Sequence, residues 1–107
     1  PERLKADFPR FDFTNYPNLT FEKPDMTTFR NLGLAFAALE KGGNAPCALN
    51  AANEIAVASF LRDEIGFLEM SDLIEQTLER VDFVAHPSLE DYVQTDRIAR
   101  KLTEESI

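Results

Sequence analysis

Residues 47–64 constrain the fold more than any other stretch, because they read as a helix that is apolar on nearly every side. Ile55, Val57, Phe60 and Leu61 supply bulk, while Ala51, Ala52, Ala56 and Ala58 are small enough for a second helix to come close. A helix of that kind has little surface to offer water and belongs at the centre of a bundle. The flanking sequence supplies its neighbours. Phe29, Leu32, Phe36 and Leu39 recur every three or four residues and predict a first helix over 28–41, capped by Thr27 or Thr28 and ending at Gly42 and Gly43. Leu73, Ile74, Leu78 and Val81 repeat the spacing in a third helix, which Ser71 is expected to cap. After a loop over 82–88, the order Ser88, Leu89, Glu90, Asp91 resembles a capping box with Asp in place of Glu. It opens a last helix through Tyr92, Val93, Ile98, Ala99 and Leu102, with acids first and Arg97, Arg100 and Lys101 later, as the helix dipole favours. Short loops between helices of this length predict an all-α fold, a compact antiparallel bundle of three to four helices over 26–107.

Residues 1–25 have no helical period. Pro1, Pro9, Pro17 and Pro24 interrupt them, and the aromatic side chains Phe8, Phe11, Phe13, Tyr16 and Phe21 are spread along an extended text. Phe11 and Phe13 alternate with polar neighbours, as do Leu19 and Phe21, which is the pattern of two short half-buried strands with turn residues at 15–18 between them. So short a pair is marginal alone and is expected to add to a larger sheet. With a first residue that is not methionine, the chain reads as a piece of a longer polypeptide.

Composition removes several functions. Nineteen acidic against eleven basic side chains give a net charge of −8, which repels phosphate backbones and anionic lipid, so neither nucleic acid nor a membrane is an expected partner. No apolar run approaches the ~18 residues of a membrane span. A single cysteine, Cys47, rules out an internal disulfide and suits a reducing cytoplasm, and with the single histidine, His86, it cannot complete an ordinary zinc site.

Asn50, Asn53 and Glu54 are the candidate functional residues, because asparagine is a poor interior helix former and two of them on one apolar helix call for a reason. The expected reason is structural: capping of the helix start, or amide hydrogen bonds that tie the loop at 42–46 or a neighbouring domain. The acidic pairs Asp63 with Glu64, Glu75 with Glu79, and Glu104 with Glu105 read as solvated surface in preference to a metal site. A Cys47–His86 dyad lacks supporting context, and Gly42–Gly43 ends a helix without forming a nucleotide-binding turn. The residues therefore predict no catalytic, cofactor-binding or metal site within this chain.

Residues 48–61, reading ALNAANEIAVASFL, together with LTFEKPD at 19–25 and LGLA at 32–35, resemble the C-terminal part of the 1-deoxy-D-xylulose 5-phosphate reductoisomerase family. PSLED at 87–91 and DRIAR at 96–100 extend the resemblance more thinly, and residues 26–29, MTTF, depart from it. The resemblance implies an oxidoreductase of the non-mevalonate isoprenoid pathway that uses NADPH and Mg or Mn, works as a cytoplasmic homodimer and makes 2-C-methyl-D-erythritol 4-phosphate. It also implies that residues 1–25 link from the central catalytic domain, where the metal ligands and substrate-phosphate residues lie, and that 26–107 form a supporting domain that is inactive alone. On the residues by themselves, a free-standing acidic helical module that binds a protein through exposed Phe side chains is the alternative.

Overall fold

Pro46 stands in the first turn of a helix, where no amide hydrogen is required, and so starts the central helix earlier than the apolar run suggests. In the computed structural model, which describes residues 4–107, the elements are α1 (Arg30–Lys41), α2 (Ala45–Leu61), α3 (Glu69–Arg80) and α4 (Leu89–Glu104). Helix α2 packs against the other three. On one side Ala52 and Ala56 meet Met70 and Ile74 of α3, with Leu34, Leu49, Phe60, Ile65 and Leu78 closing around them. On the other, Ala48 and Ala51 meet Ala99 of α4. The small side chains on α2 let both neighbours approach, as the sequence predicts.

Helix α4 turns Thr95, Ala99 and Thr103 inward, a stripe of small residues that fits the alanines of α2. Buried hydroxyls need partners, and these have them. Thr103 Oγ1 donates to the Ala99 carbonyl at 2.8 Å and lies 2.9 Å from Thr77 Oγ1 of α3. Since the Thr103 hydrogen is already committed, the Thr77 hydroxyl is the donor between them. At the start of α4, the Ser88 hydroxyl accepts from the Asp91 amide and the Asp91 carboxylate accepts from the Ser88 amide at 2.8 Å, so the expected capping box is formed. That reciprocal arrangement holds the Asp91 carboxyl below its ordinary range, chiefly through the Ser88 hydroxyl.

The turn between α1 and α2 requires its two glycines. Gly42 has φ 68° and ψ −150°, close to a region open essentially to glycine alone, and Gly43 has φ 55°. A Cβ on Gly43 would sit 2.3 Å from the Val84 carbonyl oxygen. The loop at 82–88 therefore lies directly over this turn.

Three local expectations are corrected. Helix α1 begins at Arg30, and neither Thr27 nor Thr28 caps it. Instead the Asp25 carboxylate accepts from the amides of Thr27 and Thr28, at 2.9 and 3.0 Å, closing a separate turn just before the helix. Ser71 does not cap α3, which begins two residues earlier at Glu69, whose carboxylate accepts from the Gly66 amide at 2.5 Å. Among the described residues there is no β-strand. Around Phe11 and Phe13 the Asp12 carboxylate accepts from the Thr14 amide and hydroxyl and from the Asn15 side chain, so local hydrogen bonds replace a strand ladder that has no partner. Phe11 there stacks on Tyr16, with ring centres 5.2 Å apart. The segment projects from the bundle, and the radius of gyration is accordingly 18.3 Å where a compact chain of this length gives about 13 Å.

The stripe on α1 has the helical period expected of it and faces away from the bundle. Phe29, Phe36 and Leu39 are 56–70% exposed, while Ala38 is buried and Leu34 packs on the core from the other side of the helix.

Candidate functional site

The candidate residues lie along the outer side of α2. Because that helix starts at Ala45, Asn50 and Asn53 are in its interior, and neither caps it. Asn50 is exposed, and its side-chain amide donates to Glu54 Oε1 at 3.3 Å, one turn on. Asn53 is partly buried, and among the described residues its side chain makes no hydrogen bond. Neither asparagine reaches the loop at 42–46. Glu54 is part of a small network: Arg100 of α4 donates to Glu54 Oε2 at 2.6 Å and to Asp96 at 2.9 Å. The Arg100 guanidinium, and to a smaller degree the Asn50 amide, hold the Glu54 carboxyl below its usual range. The same two carboxylates, Asp96 first, raise the Arg100 value further.

The residue that ties the loops together is Asn44, 2% exposed at the start of α2. Its side-chain nitrogen donates to the Asp82 carbonyl at 2.9 Å and to Thr95 Oγ1 at 3.0 Å, and its side-chain oxygen accepts from the Val84 amide at 2.9 Å. Its own amide donates to the Val84 carbonyl. One buried side chain thus joins the α1–α2 turn, the loop before α4 and α4 itself. A buried tie of the kind expected of Asn50 or Asn53 exists, with the residue moved to Asn44. Pro46 was the signal that the helix begins at 45, but nothing local shows the Asn44 side chain turning away from its own helix.

One member of each acidic pair is engaged by a basic side chain. Arg62 holds Glu64 at 2.7 Å, Arg30 bridges Asp72 at 2.5 Å and Glu75, and Lys101 and Arg80 lie near Glu105. Among the described residues no three His, Cys, Asp or Glu side chains converge as a metal would need. Cys47 is half-buried with Sγ 3.5 Å from the Tyr92 carbonyl, and burial, reinforced by the Asp96 charge, pushes its thiol upward. A protonated thiol is a poor nucleophile. His86 is exposed in the loop at 82–88.

Residues 1–102 match the family profile of the DXP reductoisomerase C-terminal domain. The chain belongs to that family. Across all 107 residues it is 57% identical to a 1-deoxy-D-xylulose 5-phosphate reductoisomerase of Bacteroides thetaiotaomicron, of which it covers 27%. Over 102 residues it is 54% identical to that of Phocaeicola vulgatus, again covering 27% of the relative. The fold superposes on 28% of the Zymomonas mobilis enzyme solved in complex with NADPH, with a TM-score of 0.83, 40% identity and 99% of this chain included. The chain thus spans about a quarter of the length of the relatives it matches. The resemblance read from residues 19–61 and the all-α expectation both hold, and the match over nearly the whole chain favours membership of this enzyme family over a free-standing binding module.

Proposed function

We propose that this chain is the supporting helical domain of an NADPH-dependent 1-deoxy-D-xylulose 5-phosphate reductoisomerase that makes 2-C-methyl-D-erythritol 4-phosphate. The superposition of 99% of the chain on part of a family enzyme carries this reading. In it, residues 1–25 lead from the central catalytic domain, 26–107 form the bundle, and the enzyme works in the cytoplasm as a homodimer with Mg or Mn. The donor set here does not fit such a metal, because one carboxylate of each acidic pair is engaged by Arg30, Arg62, Arg80 or Lys101 and no convergent group of ligands forms among the described residues. Nor does the Gly42–Gly43 turn fit a nucleotide phosphate, since it joins two helices and is covered by Val84. No chemical step is therefore assigned to this chain. Its part is mechanical: the buried seams on both sides of α2 make one firm body against which the catalytic portion is held. Asn50, Asn53 and Glu54, exposed or partly so on α2, are assigned to the contact between domains.

The test is the parent-length polypeptide beside a version ending near Phe21, assayed for 1-deoxy-D-xylulose 5-phosphate-dependent oxidation of NADPH and for thermal unfolding. The shortened protein is expected to lose stability first and activity with it, while its metal affinity changes less. Full activity and stability after truncation would end the supporting role, and no turnover by the parent-length protein would end the proposed activity.

A further inference from the structure

The aromatic side chains of this chain lie mostly outside its core, both in the extended segment and on the bundle. Of nine Phe residues, Phe8, Phe11, Phe13, Phe21, Phe29, Phe36, Phe67 and Phe83 are all at least 46% exposed. The buried core among the described residues is built from Ala, Met, Leu and Ile and contains no aromatic ring. Apolar patches of that extent on a soluble protein mark surfaces that are covered by something else.

On α1 the exposed residues are ordered. Phe29, Phe36 and Leu39, with half-buried Leu32, fall within about a quarter of the helix circumference at 3.6 residues per turn. Leu34 and Ala38 hold the opposite side of α1 on the bundle. Arg30, at the start of the helix, is drawn away from the stripe by Asp72 and Glu75 of α3. What remains is a continuous apolar face presented outward by a helix that is already anchored.

We infer that this face of α1 is the seat on which the bundle docks against the upstream portion of its own polypeptide. The inference rests on the proposed function above, in which that portion exists. Three observations choose this occupant. The chain accounts for only 27% of the length of its relatives, so most of a family-length polypeptide remains to be packed. The segment that would connect the two runs exposed to the Asp25 turn, four residues before Phe29, so upstream sequence is tethered beside this face at high effective concentration. A second copy is the less favoured occupant of this face, because two such bundles each carrying a net charge of −8 repel as they approach, whatever surface elsewhere joins the two chains of the proposed homodimer. Helix α2, by contrast, is packed against α1, α3 and α4, as its apolar sequence predicts, and its outer strip at Asn50, Asn53 and Glu54 is polar.

The experiment is thiol labelling of the parent-length polypeptide carrying Leu39→Cys or, separately, Phe36→Cys, with Glu79→Cys and Arg97→Cys as surface controls. Labelling is read by peptide mass, so that cysteines elsewhere do not interfere. Half-buried Cys47 reports in each variant that the bundle is folded. Positions 36 and 39 are expected to label about tenfold or more slowly than the controls, as for sites that open only by local undocking. Equal rates at all four positions in a folded protein would overturn the inference. So would protection at 36 and 39 that disappears on dilution as a dimer dissociates, because the occupant would then be a second copy. Turnover of 1-deoxy-D-xylulose 5-phosphate by the same preparations separates the two readings. Turnover with fast labelling removes the seat alone, whereas protection without turnover removes the proposed activity alone.

Discussion

Replacing Asn44 by alanine tests whether the loops of this bundle are held by one buried amide. The Asn44 side chain makes no capping bond to its own helix, so its removal leaves the start of α2 intact and acts only through tertiary contacts. Three hydrogen bonds go with it, to Asp82, Val84 and Thr95. At about 1 kcal/mol for each ordinary bond, and more where a buried partner is left orphaned, the upper figure is about 3–4 kcal/mol. The Asp82 carbonyl belongs to an exposed residue and regains water, and the Thr95 hydroxyl rotates toward its own helix, which brings the expectation to about 2–3 kcal/mol. For 107 residues this corresponds to a fall in Tm of about 10 °C. Asn50→Ala is the control. Its single 3.3 Å bond is exposed, and alanine recovers up to about 0.7 kcal/mol in helix propensity, so the net change should lie within about 0.5 kcal/mol of zero. Urea denaturation followed by far-ultraviolet circular dichroism gives both values. An Asn44→Ala variant as stable as the wild type, or an Asn50→Ala variant equally damaged, would refute the reasoning.

Thr103→Val removes the acceptor of the buried Thr77 hydroxyl and is expected to cost about 1–2 kcal/mol, and Thr77→Val somewhat less. The double valine variant should cost less than the sum, because it leaves no hydroxyl unpaired; simple additivity in a double-mutant cycle would count against the assigned donor. Ser88→Ala should lower stability by about 1 kcal/mol at neutral pH through loss of the α4 cap. Since the folded Asp91 carboxyl lies below its usual value of 3.8, its contribution is present above that pH and is lost as acid protonates the folded group. The difference in melting temperature between wild type and Ser88→Ala should therefore narrow below about pH 4; a constant difference would show that the carboxylate takes no part.

The sequence announces those features of the fold whose causes are local. The Ser88–Asp91 box needs only four consecutive residues, and the alanines of α2 state by their size that neighbours come close. The direction of the α1 stripe was not legible, because periodicity shows that a face is apolar and is silent on what covers it. Alternation at Phe11 and Phe13 misled for a related reason: a strand needs a partner, and Asp12, Thr14 and Asn15 offer the backbone a nearer one. Among the candidate residues, Glu54 does join α2 to α4 through Arg100, a pair too exposed to contribute much to stability. Asn44 was missed because its partners lie 38, 40 and 51 residues away, beyond any local pattern.

The seam between α2 and α4, made of alanine methyls and threonine hydroxyls, has a consequence for temperature. Unfolding raises the heat capacity through exposed apolar surface and lowers it through exposed polar surface. Ala48, Ala51 and Ala99 present little of the first, and buried Asn44, Ser59, Thr77, Thr95 and Thr103 add to the second. The heat-capacity change per residue is therefore expected below the ordinary ~12–15 cal/mol/K. Its stability curve is correspondingly flat, so that cooling weakens this bundle less than it weakens a domain whose interior is packed with leucine and phenylalanine.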